Sequence, residues 1–300
     1  MKQLSLNKIG TSLLAGAMLL LLICNLASAQ SDELRRTLFK DADTALKTAE
    51  DKEAAIYAPA TFAAGMNSYK KAEEELQKGE EIKEIQKNIA SASDSFSKSA
   101  ELAQRGTAFF SSVINARNEA KQAEAGQYAE ETWKKAESRL GDAIKVLEAA
   151  NDSSARSKGV EAETAYREAE LESIKLQCLG EARALLKKAE ESGAKKSAPI
   201  TFDRSLRVLQ KAEKTLDENR RNTEEARNLA SQAQYETRHA IYLSQTISRL
   251  STEKKTLEEI LLEAEMPLQT IANTLGQTVH FDQGTEPATQ EITSAIKGQK

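Results

Sequence analysis

One short element recurs three times along this chain and restricts its fold more than any other feature. Tyr57-Ala58-Pro59-Ala60-Thr61-Phe62 is matched by Tyr128-Ala129-Glu130-Glu131-Thr132-Trp133 and by Ser197-Ala198-Pro199-Ile200-Thr201-Phe202. Alanine, threonine and an aromatic keep their offsets, with periods of 71 and 69 residues. Upstream, Ala45 and Ala49 correspond to Ala116 and Ala120, then to Leu185 and Ala189. Downstream, Ala72 and Leu76 correspond to Ala143 and Leu147, then to Ala212 and Leu216. Phe96, Tyr166 and Tyr235 fall into register once a one-residue gap is allowed. Self-similarity at a fixed period is the signature of stacked supersecondary units.

Each copy has a physical reading. The recurring element is a helix breaker followed by a restart, because proline lacks an N–H and fits the first helical turn. Glu130 stands where the second copy lacks proline, so the break there is expected to rest on Gly126. Shorter helices follow at roughly 60–78, 130–149 and 200–217, then polar turns in which Ser154 and Asn222 are candidate caps. Long helices close each copy. Their stripes step by four and three residues: Ala162, Tyr166, Ala169, Ser173, Leu176 and Gly180 in the second, and Ala226, Ala230, Ala233, Thr237, Ala240, Ser244 and Ile247 in the third. After a one-residue slip the last stripe resumes with Leu250, Leu257, Leu261 and Ala264. Narrow stripes rich in alanine allow close helix approach but bury little apolar area, so neighbours must stack. The expected fold is all-α, an elongated array of antiparallel long helices in helical-hairpin or coiled-coil-like packing. Its repeats span 30–106, 107–177 and 178–265, and a strand-plus-helix tail occupies 266–300.

The N-terminus predicts export. Lys2 and Lys8 precede an apolar stretch from Leu13 to Ile23, and Ala27-Ser28-Ala29 suits a cleavage site, so residues 1–29 read as a signal peptide removed before Gln30. Cys24 follows Leu21-Leu22-Ile23, but a lipid anchor there is disfavoured by the bulk of Ile23. Residues 30–300 carry 40 basic and 46 acidic side chains, a net charge of −6. That mixed, mildly acidic balance argues against nucleic acid, which demands a dense basic patch. Cys178 is the one cysteine left after cleavage, and its neighbours Leu176 and Leu179 predict burial on an apolar helix face.

After Pro267 the character changes: Thr278-Val279-His280-Phe281 is strand-like, Gly284 marks a turn and Pro287 opens a short helix through Ile296. Tyr57-Ala58-Pro59, followed by Lys71-Ala72-Glu73 and an alanine-rich helix, resembles a helical domain of unknown function found in Gram-negative envelope proteins. In such proteins that domain often precedes an OmpA-like peptidoglycan-binding domain. The tail from Leu275 through Gly284 resembles the opening strand and turn of an OmpA-like domain. The aspartate and arginine with which OmpA-like domains hold the peptide stem lie beyond that strand, and the sequence given stops at Lys300 before either. The resemblance therefore carries over no wall-binding residue.

No catalytic, cofactor-binding or metal-binding residue is expected. His239 and His280 stand far apart with one mature cysteine, and no glycine-rich phosphate loop occurs. Glu73-Glu74-Glu75 and Lys187-Lys188 read as solvated helix faces, and Phe62, Trp133 and Phe202 as packing residues. Phe109-Phe110 is a candidate interface pair. The expectation is a non-enzymatic periplasmic spacer or scaffold, associated with the outer membrane, whose partner is an envelope protein or peptidoglycan. Self-association through helix faces is a further expectation. The alternatives are a truncated OmpA-type wall anchor and a helical protein lying on a membrane surface, which the lack of Trp and Phe on the stripes disfavours.

Overall fold

The computed structural model describes residues 33–298, so the expected signal peptide and Cys24 lie outside the described residues. The protein is all-α, with no strand among the described residues. Its first unit reaches Ile174 and its second begins at Lys175. In the first unit α1 (33–51) leads to α2 (Ala54–Tyr57), α3 (Pro59–Lys78) and α4 (Ile82–Phe109). α5 (Ser111–Gln122), α6 (Ala125–Tyr128) and α7 (Glu130–Glu148) follow, then α8 (Asp152–Glu191), within which the boundary falls. The second unit continues with α9 (Ala194–Ser197), α10 (Pro199–Glu218), α11 (Thr223–Thr252), α12 (Leu257–Thr274) and α13 (Thr285–Gly298).

The three breaks share one backbone geometry. Each begins with a residue in the left-handed region: Glu53 at φ 54°, Glu124 at 58° and Gly193 at 83°. A single four-residue turn of helix follows, then an alanine outside the helical region: Ala58 (φ −148°, ψ 54°), Ala129 (−133°, 49°) and Ala198 (−131°, 58°). The helix restarts when the N–H of Phe62, Trp133 or Phe202 donates to the carbonyl of that alanine, at 3.0, 2.9 and 3.1 Å. Proline disfavours the helical conformation of the residue before it, which suits Ala58 and Ala198. Ala129 adopts the same geometry before Glu130, so proline is not the deciding cause. Burial is. Ala54, Ala125 and Ala194 are completely buried and the three bridging alanines nearly so. Gly126 is not the breaker expected; it lies inside α6 with no positive φ.

Aromatics and small residues share the core of the first unit. Phe96 of α4 is fully buried against α3, with Phe62 5.6 Å and Tyr69 6.1 Å away between ring centroids. A β-carbon on Gly65 would come within 2.7 Å of the Phe96 ring. Tyr166 of α8 is likewise fully buried, edge-on to Trp133 of α7 at 5.4 Å. Tyr235 does not repeat this. It is 62% exposed, and Thr237 is buried in its stead, bonded to the hydroxyl of Ser205 and to the carbonyl of Ala233. Four residues, 219–222, join α10 to α11, against three at 79–81 and 149–151. One extra residue turns a helix face by about 100°.

Other expectations are corrected. Asn151, not Ser154, supplies the cap: its side-chain oxygen accepts from the Ser154 N–H at 3.1 Å. Asn222 precedes α11 but makes no side-chain cap bond and accepts from Asn219 Nδ2 instead. Leu176 is exposed while Leu179 is fully buried, and Cys178 between them is half-buried, not enclosed. Ile247, Leu257, Leu261 and Ala264 are exposed although their spacing predicts a covered stripe. Pro267 lies inside α12. The strand expected at 278–281 does not form, since a single short segment has no neighbour to satisfy its backbone. Val279 is buried instead with Ala272, Ala288 and Ile292 between α12 and α13.

Three substitutions follow from the breaks and the core. Gly193→Ala forces a side chain into left-handed backbone and should cost about 1 kcal/mol. Glu124→Gly should gain less than that, because glycine has more unfolded-state entropy to lose. Gly65→Ala should cost about 1–3 kcal/mol by pushing the buried Phe96 ring. Urea unfolding followed by circular dichroism measures all three, and a neutral Gly65→Ala would contradict the contact.

Candidate functional site

Polar side chains pair between the helices that flank each break, and their partners show what they do. At each break an arginine before it reaches a glutamate after it. Arg35 of α1 donates to Glu73 of α3 at 2.7 Å, and Arg117 of α5 to Glu137 of α7 at 2.6 and 3.1 Å. Arg183 of α8 donates to Glu213 of α10 at 2.9 and 2.7 Å. Guanidinium suits this position because its planar fork can give two bonds to one carboxylate. These pairs were missed in the sequence because they sit at no fixed repeat offset; each was visible only as one Arg and one Glu among many.

Two tyrosines complete the first two clusters. Tyr69 accepts from Arg35 Nη2 at 2.8 Å and donates to Asp43, while Tyr166 donates to Glu137 at 2.7 Å. Burial, and then the bond to Asp43, push the Tyr69 hydroxyl up to about 12. Burial followed by the bond to Glu137 pushes Tyr166 still higher, and burial raises Tyr57. The two carboxylate clusters are thus held by donors on helices packed together. They are clamps, and each carboxylate is occupied by structure.

The single residues noted in the sequence are dispersed. His239 packs on the Tyr235 ring along α11, at 6.2 Å between centroids. His280 is exposed in the irregular segment before α13. Cys178 has its thiol pushed up by burial, partly offset by Arg227. Phe110 is no free interface residue: it is buried, and a β-carbon on Gly159 would lie 3.0 Å from its ring. Phe109 is half-buried with Arg156 over its face at 4.9 Å. Among the described residues no group of three or more histidine, cysteine or carboxylate side chains is placed to hold a metal ion. No described helix is long and apolar enough to cross a membrane.

What remains unoccupied is an apolar surface. The first half of α12 exposes Leu257, Leu261, Leu262 and Met266, each more than half accessible. Scattered apolar side chains on a surface need no account, but Leu257 and Leu261 stand one turn apart on one face of the helix, as Leu262 and Met266 do on another. On α11 Tyr235 and Tyr242 are also exposed, seven residues apart.

The tyrosine clamps make stability depend on alkaline pH. A tyrosine whose folded value lies above its unfolded value, about 10, favours folding fully below pH 10. That contribution is lost as pH rises through the folded value, about 12 for Tyr69. Urea midpoints measured upward from pH 9 should therefore hold to about pH 10 and then fall. The fall should shrink in Tyr69→Phe and Tyr166→Phe, and an unaltered fall would contradict the clamps.

No family model, curated protein or solved structure matches this chain.

Proposed function

We propose that this chain is a non-enzymatic spacer or scaffold of the cell envelope, built as three successive copies of an antiparallel helical unit. One observation carries the proposal: the left-handed residue, single helical turn and buried bridging alanine recur at Glu53–Ala58, Glu124–Ala129 and Gly193–Ala198. Three chain reversals of one geometry, each spanned by an Arg–Glu pair, suit a stacked array whose surfaces are available to partners. The envelope rests on the export signal expected at residues 1–29 and on the resemblance of the helical segment. The Arg–Glu–Tyr clusters are consumed by structure, which supports a mechanical role over a catalytic one.

The test uses residues 30–300 and cells producing the full chain. Sedimentation velocity should give a frictional ratio well above that of a compact protein of this mass, and fractionation should place the chain with the envelope. Incubation with isolated peptidoglycan sacculi then separates the partners. Pelleting of the wild type with loss in Phe281→Ala would assign wall contact to the tail, whereas a protein left in the supernatant would assign the scaffold to protein partners. A compact particle in the cytosolic fraction would overturn the proposal.

A further inference from the structure

α12 is a helix with its own start and an uncovered seam. Its first turn is closed by a capping box: Thr256 Oγ1 accepts from the Glu259 N–H at 3.2 Å, and Glu259 Oε2 accepts from the Thr256 N–H at 2.7 Å. From there Leu257, Leu261, Ala264, Leu268, Ile271 and Leu275 step by four and three residues, the spacing of a coiled-coil seam. The distal end is partly covered, with Ile271 46% exposed. Leu268 and Leu275 pack on the cluster formed by Ala272, Val279, Ala288 and Ile292. The proximal end is bare, with Leu257 80% and Leu261 65% exposed.

Charge says what covers it. α12 contains Glu258, Glu259, Glu263 and Glu265 and neither lysine nor arginine. Glu258 and Glu265 stand seven residues apart along one edge of the seam and pair with no basic side chain among the described residues. On the face away from the seam Glu263 pairs with Lys255, and Glu259 is held by the cap. The imbalance is local: residues 256–300 hold seven acidic and two basic side chains, whereas 30–255 hold 39 and 38. A second α12 laid antiparallel on this seam would set glutamate beside glutamate, where like charges are destabilising, and a parallel one would leave both glutamates without a cation. An anionic lipid surface would repel it likewise. A helix with a leucine seam edged by lysine or arginine meets both demands.

We propose that the first half of α12, from Leu257 to Met266, docks a basic amphipathic helix of a partner protein. The surface is distinct from the helical array and holds whether or not the protein is an envelope spacer. The leucines supply the buried area and Glu258 and Glu265 select the partner's charge.

The probes are two synthetic three-heptad peptides with the same leucine seam, one edged with lysine and arginine and the other with glutamate. Each is titrated by fluorescence anisotropy into residues 30–300 at low and high salt. The basic peptide should bind, with an affinity that falls with salt, and the acidic one should not. Leu257→Gln/Leu261→Gln should weaken the basic peptide at least tenfold, about 1.4 kcal/mol. Glu258→Gln/Glu265→Gln should weaken it and flatten its salt dependence. Leu257, Glu258 and Leu261 are exposed and Glu265 is half-buried with no basic partner among the described residues, so circular dichroism and Tm should match the wild type, and the proposal does not hinge on a variant that fails to fold. Equal binding of the basic peptide to the wild type and the leucine variant would overturn the proposal in favour of diffuse charge attraction. A dimer that the leucine variant abolishes would overturn it in favour of a second copy. Binding to vesicles of anionic lipid, lost with the leucines, would overturn it in favour of a membrane surface.

Discussion

Close approach of helix backbones at alanine is the constraint on which the structure depends. Alanine contributes little apolar area, so a helix lined with it gains stability only when backbones come near enough for dispersion contacts to accumulate. At the breaks Ala54, Ala125 and Ala194 are completely buried. The same closeness appears between α2 and α4, where a β-carbon on Gly106 would lie 3.3 Å from the Tyr57 carbonyl oxygen. Left-handed backbone at Glu53 and Glu124 is the local cost of that geometry, since glutamate adopts it less readily than glycine.

The polar contacts complete this arrangement. Small apolar faces leave long side chains on either flank of the contact, and the arginines reach across to carboxylates on the next helix. Arg117 lies over Trp133 at 5.9 Å while bonding Glu137, so one side chain joins ring, carboxylate and backbone packing in α5, α7 and α8. Where aromatics are absent, polar groups occupy the core instead. Ser205 and Thr237 bond one another where Gly65 and Phe96 make contact in the first unit. Glycine with phenylalanine and serine with threonine are two ways to fill space between a pair of helices, one by volume and one by hydrogen bonding.

The surfaces divide by chemistry. Residues 30–255 nearly balance their charges, 39 acidic against 38 basic, and several of them pair across helices. The segment from Thr256 onward is unbalanced: its glutamates outnumber its cations, and Leu257, Leu261 and Leu262 point to solvent. An acidic helix with a bare apolar seam is an expensive surface for a folded protein to keep, and a basic partner relieves both terms together.

Composition and spacing by themselves determined that the chain is helical, where its shorter helices lie and that Ala72, Ala143 and Ala212 face the core, because helix propensity and a four-three stripe are local properties. They also located the breaks, through an element short enough to recognise. Tertiary structure alone decided the phase of each long helix, since α11 starts where Thr237 takes the core position and Tyr235 faces outward. It decided the Arg–Glu partners, which are separated by 20 to 38 residues and carry no local signature. It also decided that the seam of α12 stays bare at one end, because whether an apolar stripe is covered depends on which helix arrives beside it.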